Sequence, residues 1–172
     1  RYMTIALFED ETYENFLPIT YTRPVYECRT GMYTLRERVQ KSYPTLKLVC
    51  FARSYLAPTL RKRFSLVVNG TEAIDDDVLL INGTLILNET TKQLIEKRHV
   101  KDTSAIQNGR IAYAYLSQKT AQEYASELCK PLTAQSIKKL TGKCKQTETQ
   151  KLPLLTYPWE FVNYNAELIR ED

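Results

Sequence analysis

The sequence predicts an α/β protein in which helices cover a parallel or mixed sheet. Two observations lead there. Short apolar runs at residues 3–8, 47–52 and 66–68 alternate with helix-like segments at 34–41 and 55–63, and that beat builds a sheet flanked by helices. The run at 47–52 is also nearly continuous in apolar residues, as suits a strand buried on both faces.

Each element has a local reason. Residues 3–8 form a compact strand bounded by Glu9 and Asp10. The helix at 34–41 stops before Ser42-Tyr43-Pro44, and that at 55–63 carries Pro58 in its first turn, where a missing N–H costs nothing. Asn69-Gly70 ends the third strand, and Asn82-Gly83 ends a fourth at 78–81. A second apolar run follows at 84–87, then a helix at 91–97 with a Thr N-cap. Residues 104–116 read as a hairpin turning at Asn108-Gly109, with alternation through Ile111, Tyr113 and Tyr115. Helices are expected at 118–128 and 133–140, a polar linker at 143–151, and an aromatic segment around Trp159 that docks on the domain before a final helix at 166–172.

Composition excludes several classes. The chain has 172 residues, 43% apolar and 26% charged, as in an ordinary single globular domain. Its charge of +4, from 24 basic and 20 acidic residues, is too balanced to argue for nucleic-acid binding. Cys28, Cys50, Cys129 and Cys144 form no Cys-x-x-Cys pair and His99 is the sole histidine, so zinc or thiol redox chemistry is not expected. No apolar run reaches membrane-spanning length and no secretory pattern opens the chain, which reads as cytoplasmic. Asp75, Asp76 and Asp77 precede their strand, on the edge away from where ligands sit.

The long link between the first strand and first helix carries the chemistry. It holds Arg23 and Arg29 and leads to Arg36 and Arg38. Guanidinium groups grip phosphate or carboxylate bidentately, and in open α/β sheets the first strand-to-helix connection is the usual cradle. For Arg36 and Arg38, a solvated helix face is an equal alternative.

The segments Phe8-Glu-Asp10, Leu17-Pro-Ile-Thr20, Thr22-Arg-Pro-Val25, Cys28-Arg-Thr-Gly31, Thr34-Leu-Arg-Glu-Arg38, Leu80-Ile-Asn-Gly83 and Trp159-Glu-Phe-Val-Asn163 resemble a divergent family of sugar-phosphate nucleotidyltransferases. That family is similar to the N-terminal uridyltransferase domain of bifunctional N-acetylglucosamine-1-phosphate uridyltransferase. The resemblance implies a Rossmann-like three-layer α/β/α fold with a mixed, mostly parallel sheet. It implies transfer of a nucleotide from a nucleoside triphosphate to a sugar-1-phosphate with release of pyrophosphate, and no nucleic-acid or membrane partner. Arg23 becomes the catalytic cation; Arg29, Thr22, Asn82, Gly83 and Tyr21 become binding residues, with Tyr21 or Tyr26 stacking on a base. Mg²⁺ is implied as cofactor, with Asp10 and Asn163, or Asn165, as its ligands. Residues 1–172 then read as one domain of a longer protein whose C-terminal β-helix, a route to homo-oligomers, is absent.

Two departures matter. Residues 9–20 contain no glycine where relatives carry a Gly-rich loop, and the central strand ends in Asn82-Gly83 where they carry Gly-Asp. The alternative expectation is therefore a non-catalytic module of the same fold that binds a nucleotide or sugar phosphate.

Overall fold

The computed structural model describes residues 4–97, 100–147 and 152–172. In chain order these form β1 (Thr4–Phe8), a small hairpin of β2 (Arg29–Thr30) and β3 (Tyr33–Thr34), α1 (Leu35–Ser42), β4 (Lys47–Cys50), α2 (Ala57–Phe64) and β5 (Val67–Val68). There follow β6 (Val78–Asn82), α3 (Glu89–Lys97), β7 (Thr103–Gln107), β8 (Arg110–Leu116), α4 (Gln118–Leu128), α5 (Ala134–Thr141), β9 (Lys145–Thr147) and α6 (Glu160–Glu171). Met3 and His99 lie outside the described residues.

Seven strands make one sheet in the order β5-β4-β1-β6-β8-β7-β9. β4 and β6 flank β1 in parallel, and β5 extends the parallel run. β8 is antiparallel to β6 and β7, and β9 runs parallel to β7. The reversal follows from the tight turn: Asn108 and Gly109 have φ of 52° and 73°, the left-handed pair that a two-residue hairpin needs.

The three layers are written in side-chain alternation. On β1, Ile5 and Leu7 join one apolar cluster with Leu35 and Val39 of α1, Leu60 of α2 and Ile95 of α3. Ala6 and Phe8 point the other way, to Tyr124 and Leu128 of α4 and Leu140 of α5. β6 repeats the pattern with Leu79 and Ile81 against Val78 and Leu80. Every β1 residue is buried, as a central strand covered on both faces requires. The result is the mixed, mostly parallel α/β/α architecture expected from the sequence.

Local chemistry fixes the helix starts. Thr34 and Glu37 form a reciprocal capping box at the head of α1, satisfying two backbone donors that the first turn leaves free. Asn88, rather than a threonine, caps α3 by accepting the Thr91 N–H at 2.9 Å.

The expectations for the linker and the C-terminal segment are corrected. Residues 145–147 form the edge strand β9 rather than a linker, while 148–151 lie outside the described residues. An edge strand tolerates charged side chains, so its polarity concealed it. The second apolar run, 84–87, is buried as its composition implies and touches Leu154 through one bridge at Leu85. The C-terminal segment docks through Leu152, Leu154 and Leu155 and, among its aromatics, through Phe161, whose ring meets Phe16 edge-on at 5.5 Å, whereas Trp159 is 64% exposed and stacks on Tyr157 at 4.6 Å. Helix α6 begins at Glu160 and buries Leu168 against Phe16, Val25 and Ile86.

Candidate functional site

Strand order places the site. From β1 the chain steps outward to β4 and β5, whereas β6 lies on the other side of β1, so the carboxyl ends of β1 and β6 bracket the topological switch point where such sheets bind ligands. Those ends present Glu9, Asp10, Asn82, Gly83 and Thr84. The connection after β1 is not a glycine cradle. It winds through 3₁₀ turns at Glu11–Phe16, Ile19–Tyr21 and Val25–Glu27, the first capped by Asp10 and anchored by buried Phe16.

At the switch point the polar groups satisfy one another. One Asp10 carboxylate oxygen accepts from the Thr12 backbone N–H at 3.0 Å and from the Thr12 hydroxyl. The other accepts from Asn82 Nδ2 and Arg110 Nε, both at 2.8 Å. Asn82 Oδ1 accepts from the Thr84 N–H and hydroxyl, and Asn82 Nδ2 also donates to the Ile111 carbonyl. Arg110 spends its remaining donors on the Thr12, Thr84 and Thr156 hydroxyls and the Leu155 carbonyl. All five guanidinium N–H groups are therefore used. Gly83 allows the close approach: a Cβ there would sit 3.0 Å from both the Phe8 carbonyl oxygen and the Tyr26 ring.

A second pair adjoins it. Arg53, just past β4, donates to both Glu9 oxygens at 3.0 and 3.2 Å, to the Tyr55 hydroxyl at 2.6 Å and to the Arg23 carbonyl at 3.1 Å. Its guanidinium stacks 4.1 Å from the Tyr13 ring centre. Burial pushes the Glu9 carboxyl above its usual range even against this arginine.

Beside these networks opens a cavity of about 410 Å³ between the 22–29 loop, α1 and α2. Its cationic walls are Arg23, Arg29, Arg36 and Arg63. Arg36 is committed to Glu27 and Gln40 and stacks on Phe64 at 4.4 Å. Arg29 donates once, to the Met32 carbonyl at 2.9 Å. The Arg23 and Arg63 guanidinium groups make no hydrogen bond or ion pair among the described residues and are exposed. Thr22 completes the rim. Tyr21, 68% exposed, lies 6.5 Å from the Tyr55 ring.

The family model for sugar nucleotidyl transferase matches residues 5–172. The chain belongs to that family. This transferase fold is shared by solved structures at low identity, which speak for architecture alone. A candidate glucose-1-phosphate thymidylyltransferase from Bacillus anthracis, in complex with a sucrose, aligns over 99% of this chain and 96% of its own, at 14% identity and a TM-score of 0.57. Molybdopterin-guanine dinucleotide biosynthesis protein A from Archaeoglobus fulgidus aligns over 98% and 99%, at 10% identity and a TM-score of 0.58. No curated protein matches the sequence.

The structure brings some predicted residues of this transferase together and separates others. Thr22, Arg23 and Arg29 share one cavity; Asn82 and Gly83 sit at the switch point, fully enclosed. Arg38 faces away, paired with Asp172 and the Thr30 carbonyl. Tyr26 is a core residue that donates to the Phe51 carbonyl, which removes it as a stacking platform. Asn163 is exposed on α6, and Asn165 accepts the Gly31 N–H at 2.8 Å. Asp10 does not fit a divalent cation, contrary to the expectation for Mg²⁺. Its oxygens already hold four donors, one of them the Arg110 guanidinium, and no group of three or more acidic, Cys or His side chains is placed for a metal among the described residues. The cysteines offer no nucleophile: burial pushes Cys28 up to about 11 and Cys50 up to about 12. No helix among the described residues is long and apolar enough to cross a membrane.

Sequence reasoning missed Glu9, Arg53, Arg63 and Arg110. The first two were within reach, because they directly follow β1 and closely follow β4 at the ligand-facing edge. Arg110 follows the Asn108-Gly109 turn, and nothing local marks it.

Proposed function

We propose that the domain transfers a nucleotide from a nucleoside triphosphate to a sugar-1-phosphate, forming a nucleotide sugar and pyrophosphate. The family assignment supports nucleotidyl transfer, and the observation that carries the phosphate reading is the cavity holding Arg23 and Arg29 beside the switch point. A sugar-phosphate oxygen bonds to the α-phosphorus, the bond to the bridging oxygen breaks, and pyrophosphate leaves with that electron pair. Such a transfer asks the protein to align and neutralise anions rather than to form covalent bonds.

In this reading Arg23 and Arg29 hold phosphate oxygens, Thr22 adds a hydroxyl donor, and Tyr21 offers its exposed ring to the base. Asn82 acts as a positioning residue, since its carboxamide fixes both Asp10 and Thr84. Gly83 keeps the strand end flush with Tyr26. The test is calorimetric titration with each nucleoside triphosphate, with and without Mg²⁺, followed by pyrophosphate release across a panel of sugar-1-phosphates. Release that disappears in Arg23→Ala supports the transferase; no release from any pair overturns it.

A second reading draws on Asp10. With that carboxylate spent on Arg110, a module that binds a nucleotide or sugar phosphate without turnover accounts for the same cavity. Tight binding with no release selects it.

A further inference from the structure

We infer that the cavity walled by Arg23, Arg29 and Arg63 grips a polyphosphate chain, as pyrophosphate or the phosphates of a nucleotide, through its guanidinium groups and without a divalent cation. This deepens the reading of Arg23 and Arg29 as phosphate ligands, on which it rests. It adds Arg63 as a ligand and removes the metal from the binding step.

Donor accounting carries the inference. Each guanidinium has five N–H groups. Arg23 and Arg63 spend none in hydrogen bonds among the described residues, and Arg29 spends one. Arg63 is held instead by its own neighbour, its guanidinium lying 5.2 Å from the Phe64 ring centre. The fourth arginine is occupied: Arg36 neutralises Glu27 and stacks against the same Phe64 ring at 4.4 Å. The remaining carboxylate on the wall, Glu37, is engaged at the α1 capping box, where the Thr34 N–H holds it below its usual range. Four arginines against two glutamates leave the lining with a surplus of two positive charges. A chain of phosphates answers that surplus, whereas a divalent cation meets two carboxylates already committed elsewhere.

Size and placement agree. About 410 Å³ lies within the range of small-molecule sites, roughly 300–1,000 Å³. The arginines come from separate elements, the long loop, β2 and α2, and the loop is held in place because Arg53 ties the Arg23 carbonyl to Glu9. None of the lining residues is Asp10, Asn82 or Thr84, so the phosphates lie beside the switch point and not on its closed network.

The deciding experiment is calorimetric titration of the protein with inorganic pyrophosphate in EDTA, at low and high salt. Saturable binding in EDTA that weakens with salt is expected, because exposed charges are screened. Arg23→Gln and Arg63→Gln should each weaken it about tenfold or more, as loss of a charge-assisted hydrogen bond implies. Lys62→Gln, an equal change of charge at an exposed residue outside the lining, should leave it unchanged. Binding that appears only when Mg²⁺ is restored overturns the inference, as does an equal loss in Lys62→Gln, which marks diffuse surface charge. The proposed reaction fails separately: pyrophosphate release with metal-dependent binding sinks only the inference, and binding in EDTA without release sinks only the reaction.

Discussion

Two arginine clusters lie side by side in this domain and behave oppositely. At the switch point Arg110 has every donor spent on Asp10, three threonine hydroxyls and a carbonyl, while Arg23 and Arg63 in the neighbouring cavity have theirs free of hydrogen bonds among the described residues. Positive charge is common to both. Under the proposed function, what separates a structural arginine from a ligand-binding one is unspent hydrogen-bonding capacity, because a saturated guanidinium has nothing left to offer an incoming phosphate.

The largest effect that tests this contrast is on stability. Arg110→Ala removes a partner from buried Asp10 and buried Thr84, and should cost about 3–5 kcal/mol, the range for breaking a buried ion pair from one side; urea denaturation measures it. A value below about 1 kcal/mol would place Arg110 among ordinary surface charges. Gly83→Ala comes next, at about 1–3 kcal/mol for overpacking, since the new Cβ meets the Phe8 carbonyl and Tyr26 ring at 3.0 Å. Unfolding midpoints unchanged from wild type would show that the strand end has slack.

A smaller effect concerns pH. Glu9 is an acid whose folded pKa burial raises above the ordinary 4.5, so the folded state binds its proton more tightly than the unfolded state. Its stabilising contribution is complete below 4.5 and is lost as pH rises through the folded value. Wild type should therefore lose stability relative to Glu9→Gln as pH climbs from 4.5, visible in urea midpoints taken across that series. Parallel curves would remove Glu9 as the titrating group. The smallest change is expected at Arg23→Ala, within about 0.5 kcal/mol of wild type as for a surface substitution, while ligand binding falls. A large loss of stability there would erase the distinction between the two clusters.

Much of the architecture was legible because it depends on local pattern. Asn108-Gly109 encodes its hairpin, Thr34 and Glu37 encode a helix start, and the compact run at β4 marks a buried parallel strand. β9 was hidden because an edge strand needs no apolar face, and Trp159 misled because its ring is satisfied by stacking on Tyr157 rather than by burial. The candidate site was legible only in its cationic loop. Arg23 and Arg29 were visible through their position after the first strand, and the structure gathers them in one cavity with Arg63. The fate of Asp10 was not, since its partners Asn82 and Arg110 lie 72 and 100 residues away and pairing over such distances leaves no periodicity to read.

Those separations also bear on how the molecule assembles. The Arg110 hub joins residues 10, 12, 84, 155 and 156, and Arg38 meets Asp172 across 134 positions. Contacts so remote in sequence close large loops before they return any stabilisation, and such topologies fold slowly. During synthesis the early parallel strands emerge with Asp10 still lacking its arginine, so the hub can lock only after the segment at 155–156 has left the ribosome.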